Sequence, residues 1–275
     1  MSIKEQLLYV TTRIETEDSQ GKHYSGTGFF YSLKKTDGQS VIVVVTNKHV
    51  VKDMIKGSFV LTEEQSGQGT PADRKFVSVS FDNFEKQWIM HPSPDVDLCV
   101  MPLNALVEKV KADHNIEFFF RTLSESAIPN EADFDNIDAI EDVLMIGYPN
   151  GLWDDVNNRP IVRKGLTATD VKADYKGQKE FVIDMACIPG SSGSPVIILK
   201  SGMSVSRSGD VEIGGTEFFF IGVLHAGLLM TIEGEIQIKG APISTALKPV
   251  VQSQIMINLG YCVKSSCLKD FEKLV

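Results

Sequence analysis

Ile188-Pro189-Gly190-Ser191-Ser192-Gly193-Ser194-Pro195-Val196 is a glycine- and serine-rich turn lodged between two apolar runs, Glu180 to Met185 and Val196 to Lys200. A nucleophilic serine needs its hydroxyl exposed on such a turn, with backbone N–H groups converging where an oxyanion forms. Gly190 permits the backbone geometry that aims its own N–H and that of Ser192 at one point, and Gly193 leaves room behind Ser192. A Gly-Ser-Ser-Gly turn by itself is most often a plain loop. The run after it is β in character, which excludes the Gly-x-Ser-x-Gly elbow that leads from a strand directly into a helix.

Working outward, two further segments give the turn its meaning. His49 follows the Val41 to Val45 run in Thr46-Asn47-Lys48-His49-Val50, where a rigid strand end can deliver an imidazole to a cleft. Asp97 opens an apolar run in Asp95-Val96-Asp97-Leu98-Cys99-Val100, where a buried carboxylate can accept the Nδ1–H bond that fixes an imidazole's tautomer. A lone His at a strand end is otherwise structural, and such an Asp otherwise caps a turn. Asp95 competes with Asp97, but the uninterrupted apolar stretch starts only after Asp97. The chain order His, Asp, Ser, with gaps of 48 (97 − 49) and 95 (192 − 97), differs from the Asp-His-Ser and Ser-Asp-His orders of other hydrolases.

The flanking chain is a succession of short runs rich in Val, Ile, Phe and Thr, broken by Gly, Asp, Asn and Pro, as in many-stranded sandwiches and barrels. One set spans Leu7 to Leu103 and a second Val143 to Ile238; between them Ala105 to Asp113 reads as a short helix and Glu125 to Asp142 as an acidic connection. Ser244 to Ile257 has helical spacing, with Ser244 as cap and Gly260 as stop, although Pro249 interrupts it.

Composition bounds the partners. With 43% hydrophobic and 23% charged residues among 275, the chain is long enough for two modest cores. A net charge of −9 without a Lys/Arg cluster argues against nucleic-acid or anionic-membrane binding. No stretch approaches the roughly 20 apolar residues of a membrane helix. The apolar run at Leu7 to Val10 is too short for a signal-peptide core, so a cytoplasmic place is expected, with Cys99, Cys187, Cys262 and Cys267 as thiols. The spacing of the cysteines offers no zinc site.

With these segments in hand, the sequence resembles trypsin-like (chymotrypsin-fold) serine peptidases, particularly bacterial HtrA/Deg protease domains and glutamyl endopeptidases. The matching pieces are Ser25-Gly-Thr-Gly-Phe-Phe30, Thr46-Asn-Lys-His-Val50, Asp97-Leu-Cys-Val100, Ile146-Gly-Tyr-Pro149, Gly190-Ser-Ser-Gly-Ser-Pro195, Ile221-Gly-Val223 and Gly240-Ala-Pro-Ile-Ser244. The resemblance implies an all-β chain of two six-stranded antiparallel barrels with a C-terminal helix: residues 1–115 carrying His49 and Asp97, a linker over 116–140, residues 141–243 carrying Ser192, and helix and tail over 244–275. It implies a serine endopeptidase working through an acyl-enzyme on Ser192, an oxyanion hole from the N–H groups of Gly190 and Ser192, and no cofactor or metal. Ser191 stands where secreted trypsins carry the Asp that pairs with a freed amino terminus, so activation of that kind is not expected. A PDZ domain has no room after Ser244. A regulatory protein partner and low basal activity are therefore expected.

By position relative to Ser192, the primary pocket is walled by Ala186, Cys187 and Ile188 and by Leu224, His225, Ala226 and Gly227. Ala186 carries no charge, which disfavours Lys or Arg in the substrate. His225 has three open readings: recognition of an acidic side chain, as glutamyl endopeptidases imply; a place near Asp97; or plain packing. A one-residue slip in register decides among them. Trp153, in the insertion Asn150 to Pro160, either lines a groove beside Arg163 and Lys164 or staples a surface loop. A catalytically silent binding or scaffold module and an esterase remain the alternative functions.

Overall fold

The computed structural model describes the backbone of residues 1–205, 211–235 and 250–275, and the side chains of residues 1–202, 216–228 and 256–275. The short apolar runs become strands of two sheets. The first holds β1 (Thr11–Asp18), β2 (His23–Lys34), β3 (Ser40–Thr46), β4 (Met54–Glu64), β5 (Pro71–Asp82), β6 (Ile89–Met90), β7 (Cys99–Pro102), β8 (Phe118–Phe119) and β9 (Leu123–Ser124). The second holds β10 (Asp142–Gly147), β11 (Ile161–Thr167), β12 (Glu180–Asp184), β13 (Pro195–Val205), β14 (Val211–Glu235) and β15 (Val250–Lys264). The helices are α1 (Ile3–Gln6), α2 (Lys48–Val51) and α3 (Asn104–His114), the last covering the stretch predicted as helical.

The second sheet closes as a six-stranded barrel in the order β10-β11-β12-β15-β14-β13. The first is a nine-stranded sheet running β5-β4-β1-β2-β3-β7-β6, with β8 on β4 and β9 on β2. Its end strands β5 and β6 do not pair with each other, so the expected second closed barrel is not formed among the described residues. β6 offers only two residues to its neighbour β7, too short a ladder to reach across and close a ring.

The expected C-terminal helix is also corrected. Residues 250–257 belong to β15, which pairs with β12 through Glu180↔Val263 to Asp184↔Leu259 and with β14 through Gly222↔Lys264 to Glu235↔Val250. Over 250–256 the ladder to β14 supplies backbone partners that a helix would have supplied internally, and further on, at 259–263, β15 pairs with β12 as well and so closes the barrel. Residues 236–249, including the Gly240 to Ser244 segment and the start of the expected helix, lie outside the described residues. The chain ends in a 3-10 segment, Ser265–Lys273.

The period-two alternation of the strands sets the cores. Phe29, Tyr31, Val43 and Val45 of the first sheet pack with Ile146, Ile197, Phe220, Val223 and Val263 of the second, and Leu268 and Phe271 join them. The opposite faces of β2 and β3 turn Phe30 and Val44 into a separate cluster with Ile14, Phe59, Phe84 and Trp88. The barrel interior holds Met145, Phe181, Ile183, Val196, Ile198 and Cys262. The largest apolar run of the first half is thus buried on both faces, and the two sheets share a core at their seam.

Candidate active site

His49 sits in α2, one residue after the helix begins at the end of β3. The segment before β7 is tied to it from three sides. The Asn47 side-chain amide donates to Asp97 O (2.7 Å), the Lys48 ammonium donates to Ser93 O (2.7 Å), and the His49 backbone N–H donates to Asp97 Oδ1 (3.2 Å). These bonds aim the other carboxylate oxygen at the ring: His49 Nδ1 and Asp97 Oδ2 are 2.6 Å apart. Burial alone pushes the Asp97 carboxyl up, but the hydrogen bonds and charge of His49 outweigh it and hold the group below the ordinary Asp value. Asp95 is exposed and does not compete. With Nδ1 engaged by Asp97, the remaining ring nitrogen, Nε2, is left as the atom that can take a proton.

Ser192 is half-buried in the loop between β12 and β13. The loop is fastened to the strand ends that carry α2. Thr27 N–H donates to Ser192 O (2.8 Å), the Thr27 hydroxyl donates to Gly190 O (2.9 Å) and accepts from Tyr148 N–H (3.0 Å), and the Thr46 hydroxyl donates to Thr27 O (2.7 Å). Gly193 (φ +87°) lies so close that a Cβ there would come within 1.9 Å of Thr27 O and 2.5 Å of the Thr46 hydroxyl, which no side chain can occupy. Thr46 is three residues from His49, so the Ser192 turn rests on the strand end from which the imidazole projects.

The turn before Ser192 has a defined hand. Pro189 and Gly190 are its central residues, Gly190 has φ +84°, and Ser191 N–H donates to Ile188 O (3.1 Å). Proline followed by a positive-φ glycine is the type II pattern. Pro189 O accepts from Asn150 N–H (2.6 Å), so this peptide's carbonyl faces the 148–150 segment. The N–H of Gly190, on the other edge of the same planar peptide, faces away from that segment.

The pocket residues fall on two segments in contact. Cys187 is buried with its thiol pushed up to about 11, while Ala186 is exposed and Ile188 half-buried. A Cβ on Gly227 would stand 2.3 Å from Cys187 O, and one on Gly260 would stand 2.3 Å from Cys187 Sγ. Leu224 O accepts from Gly193 N–H (2.8 Å). Ala226 is half-buried beside it. The register turns the His225 ring toward Asp97, with Nδ1 3.9 Å from Asp97 Oδ2. Nε2 approaches Glu180 Oε1 to 3.0 Å.

Three residues escaped the reading of the sequence. Glu180 looked like an ordinary strand residue, and nothing local marked it as a neighbour of His225. Thr27 lies within the Ser25 to Phe30 segment, where only the hydroxyl distinguishes it. Arg163 stands in the sequence only as a neighbour for Trp153. Trp153 instead packs on the first sheet, with the Arg13 guanidinium 4.6 Å above its ring and Phe76 edge-on at 5.7 Å. The insertion around it is a clasp, tied further by Asn158 Nδ2 to the Thr62 hydroxyl (2.9 Å) and by Arg159 to Tyr9.

Among the described residues no group of His, Cys, Asp and Glu is arranged to hold a metal ion, and no helix is long and apolar enough to cross a membrane. All four cysteines are free and buried.

No curated protein matches the chain. Solved structures similar to it include the Rv3671c protease from M. tuberculosis in its active form, 16% identical over 96% of this chain and 79% of that one, with a TM-score of 0.43. The thermostable serine protease AL20 from an extremophilic microorganism is 11% identical over 96% of each chain, with a TM-score of 0.45. A tobacco etch virus protease mutant is 12% identical over 94% of this chain and 76% of its own, with a TM-score of 0.45. The family model described as a trypsin-like peptidase domain matches residues 26–203, a span that contains His49, Asp97 and Ser192, and the chain belongs to that family.

Proposed function

We propose that this trypsin-like peptidase is a serine endopeptidase with Ser192 as nucleophile, His49 as base and Asp97 as the orienting acid. The observation that carries the reading is the 2.6 Å contact between His49 Nδ1 and Asp97 Oδ2, on a strand end against which the Ser192 loop is packed. Ser192 Oγ attacks the peptide carbonyl carbon while His49 Nε2 takes the hydroxyl proton. The N–H groups of Gly190 and Ser192 hold the oxyanion. Collapse breaks the C–N bond, His49 returns the proton to the leaving amine, and water hydrolyses the acyl-enzyme by the same route.

The residues taken as pocket walls, Ala186, Cys187, Ile188, Leu224, Ala226 and Gly227, carry no charge, which disfavours Lys or Arg at the scissile residue. His225 acts beside Asp97 and not as a receptor for an acidic side chain. The four buried thiols suit a reducing compartment, and we place the enzyme in the cytosol.

The test is labelling with a fluorophosphonate probe, followed by mass spectrometry to locate the adduct. The expected result is a single adduct on Ser192 that Ser192→Ala abolishes, with cleavage of a peptide library lost in the same variant. An intact protein that neither labels nor cleaves would mark a silent binding module. Labelling with ester but no peptide turnover would mark an esterase.

A further inference from the structure

The backbone ladder between β11 and β12 consists of Leu166↔Asp184 and Thr167↔Ile183, and past Asp184 the chain leaves the barrel to build the 185–192 loop. Arg163 lies on β11 beyond that last rung, paired through its backbone to Met145 of β10. Its side chain crosses to the departing loop. One guanidinium nitrogen donates to the hydroxyl of Ser191 (2.7 Å) and the other donates to Ala186 O. Ser191 is wholly buried, so its hydroxyl depends on this partner. Among the described residues no carboxylate pairs with Arg163, and its Nε is buried without a hydrogen-bond partner. Burial lowers the Arg163 pKa, yet a guanidinium stays charged at any physiological pH.

A half-buried, unpaired arginine is costly to keep, and solvent was open to so long a side chain. Its planar fork instead spans the two ends of the segment whose middle, Ile188 to Gly190, forms the type II turn. Ala186 and Ser191 are five residues apart, and holding both fixes how far the turn between them can open.

Resting on the serine-peptidase reading, we propose that Arg163 is a positioning residue that braces the 186–191 segment and so keeps the N–H groups of Gly190 and Ser192 aimed at the oxyanion. It touches neither substrate nor reacting atoms. It acts through Ser191 and Ala186, and it makes the hole a property of the folded barrel.

The test compares wild type with Arg163→Met, Arg163→Lys and Ser191→Ala. Expected for Arg163→Met is a loss of kcat of about 10²-fold, the size that a misplacement of about 1 Å produces, with KM little changed. Lysine, which can reach one acceptor but not both, restores part of the rate. Ser191→Ala gives a smaller loss that does not add to that of Arg163→Met. A peptide boronate, whose tetrahedral adduct uses the oxyanion site, weakens in parallel with kcat. In the amide spectrum, the Gly190 and Ser192 signals shift and broaden in Arg163→Met.

Wild-type labelling at Ser192 with an unchanged rate in Arg163→Met sinks the brace and leaves the peptidase standing. No labelling of wild type sinks the peptidase reading, and the amide signals then judge the brace alone: unchanged Gly190 and Ser192 signals end it. Where Arg163→Met does not fold, Arg163→Lys and Ser191→Ala carry the same readouts.

Discussion

Asp97 lies between two imidazoles whose own burial differs, His49 exposed and His225 half-buried. His49 donates to it and holds its pKa down, so in the window between its folded value and the ordinary Asp value near 4 the unfolded chain binds more protons. The stabilisation is therefore complete above about pH 4 and is lost as pH falls through the lower folded value. On the peptidase reading, Asp97→Asn leaves the fold intact and lowers kcat by roughly 10⁴-fold, since the wrong tautomer of His49 is then favoured. It also removes the Asp97 share of the acid-side stability slope, leaving that of Asp18, Asp154 and Asp174, which urea titrations between pH 5 and 2.5 measure. His225 is the opposite case. Burial lowers its pKa, with Glu180 and Asp97 opposing, so the folded chain keeps the ring neutral where the unfolded chain would protonate it. Its contribution is present above the ordinary His value of about 6.5 and is lost as pH falls below it. His225→Gln should flatten the fall in urea midpoint between pH 7.5 and 5.5; an unchanged slope would assign that fall to another group.

At the scale of elements, the C-terminal 3-10 segment is a structural part of the first sheet's loop system. His91 is buried, and Ser93 N–H donates to its Nδ1 (3.1 Å), so the ring proton sits on Nε2. From there it reaches Cys267 O (3.2 Å) and Asp270 Oδ2 (3.1 Å). Phe271, fully buried, stands edge-on to the same ring with centroids 5.2 Å apart. This anchors the chain end to residues 91–93, just ahead of the loop that presents Asp97. Phe271→Ala is expected to destabilise by about 3–5 kcal/mol through lost burial and the cavity left behind. Chemical unfolding reads this, and a change below about 1 kcal/mol would show that the anchor is not load-sharing.

For the whole molecule, the seam between the sheets is both core and site. Phe29 meets Phe220 edge-on across it at 5.3 Å, and the Tyr148 hydroxyl donates to Thr11 O (3.3 Å) from the other side. Since the two sheets share this core, heat or urea should unfold them in one transition, with near-UV and far-UV signals coincident. Two separated transitions would contradict a common core. Thr27→Val keeps the shape of the side chain but strands Tyr148 N–H and Gly190 O. The expected cost is about 2 kcal/mol in stability. On the peptidase reading, a fall in kcat larger than the fall in folded fraction accompanies it, because the lost bond held the turn carrying Gly190.

The β-rich character, the helix over 104–114 and the three segments around His49, Asp97 and Ser192 that carry the family resemblance were legible because each rests on local information: alternation, a turn's glycines, an acid at the mouth of an apolar run. Asp97 could be preferred to Asp95 on the same ground, since the acid nearest the apolar run is the one drawn inside. The helix expected over 244–257 failed where tested, at 250–257, because helical spacing in a short apolar stretch is weaker than a long neighbouring strand, β14, in need of a partner. Closure of one sheet and not the other depends on which end strands meet, a distance no local pattern encodes. The same holds for the side of the strand on which His225 lies, for Glu180 beside it, for the staple role of Trp153, and for Arg163 reaching the Ser192 turn. The linear chain settles which residue types stand at the strand ends and turns, since that is a matter of local pattern, while tertiary packing alone settles which groups stand within bonding distance, since their separation in space is unrelated to their separation along the chain.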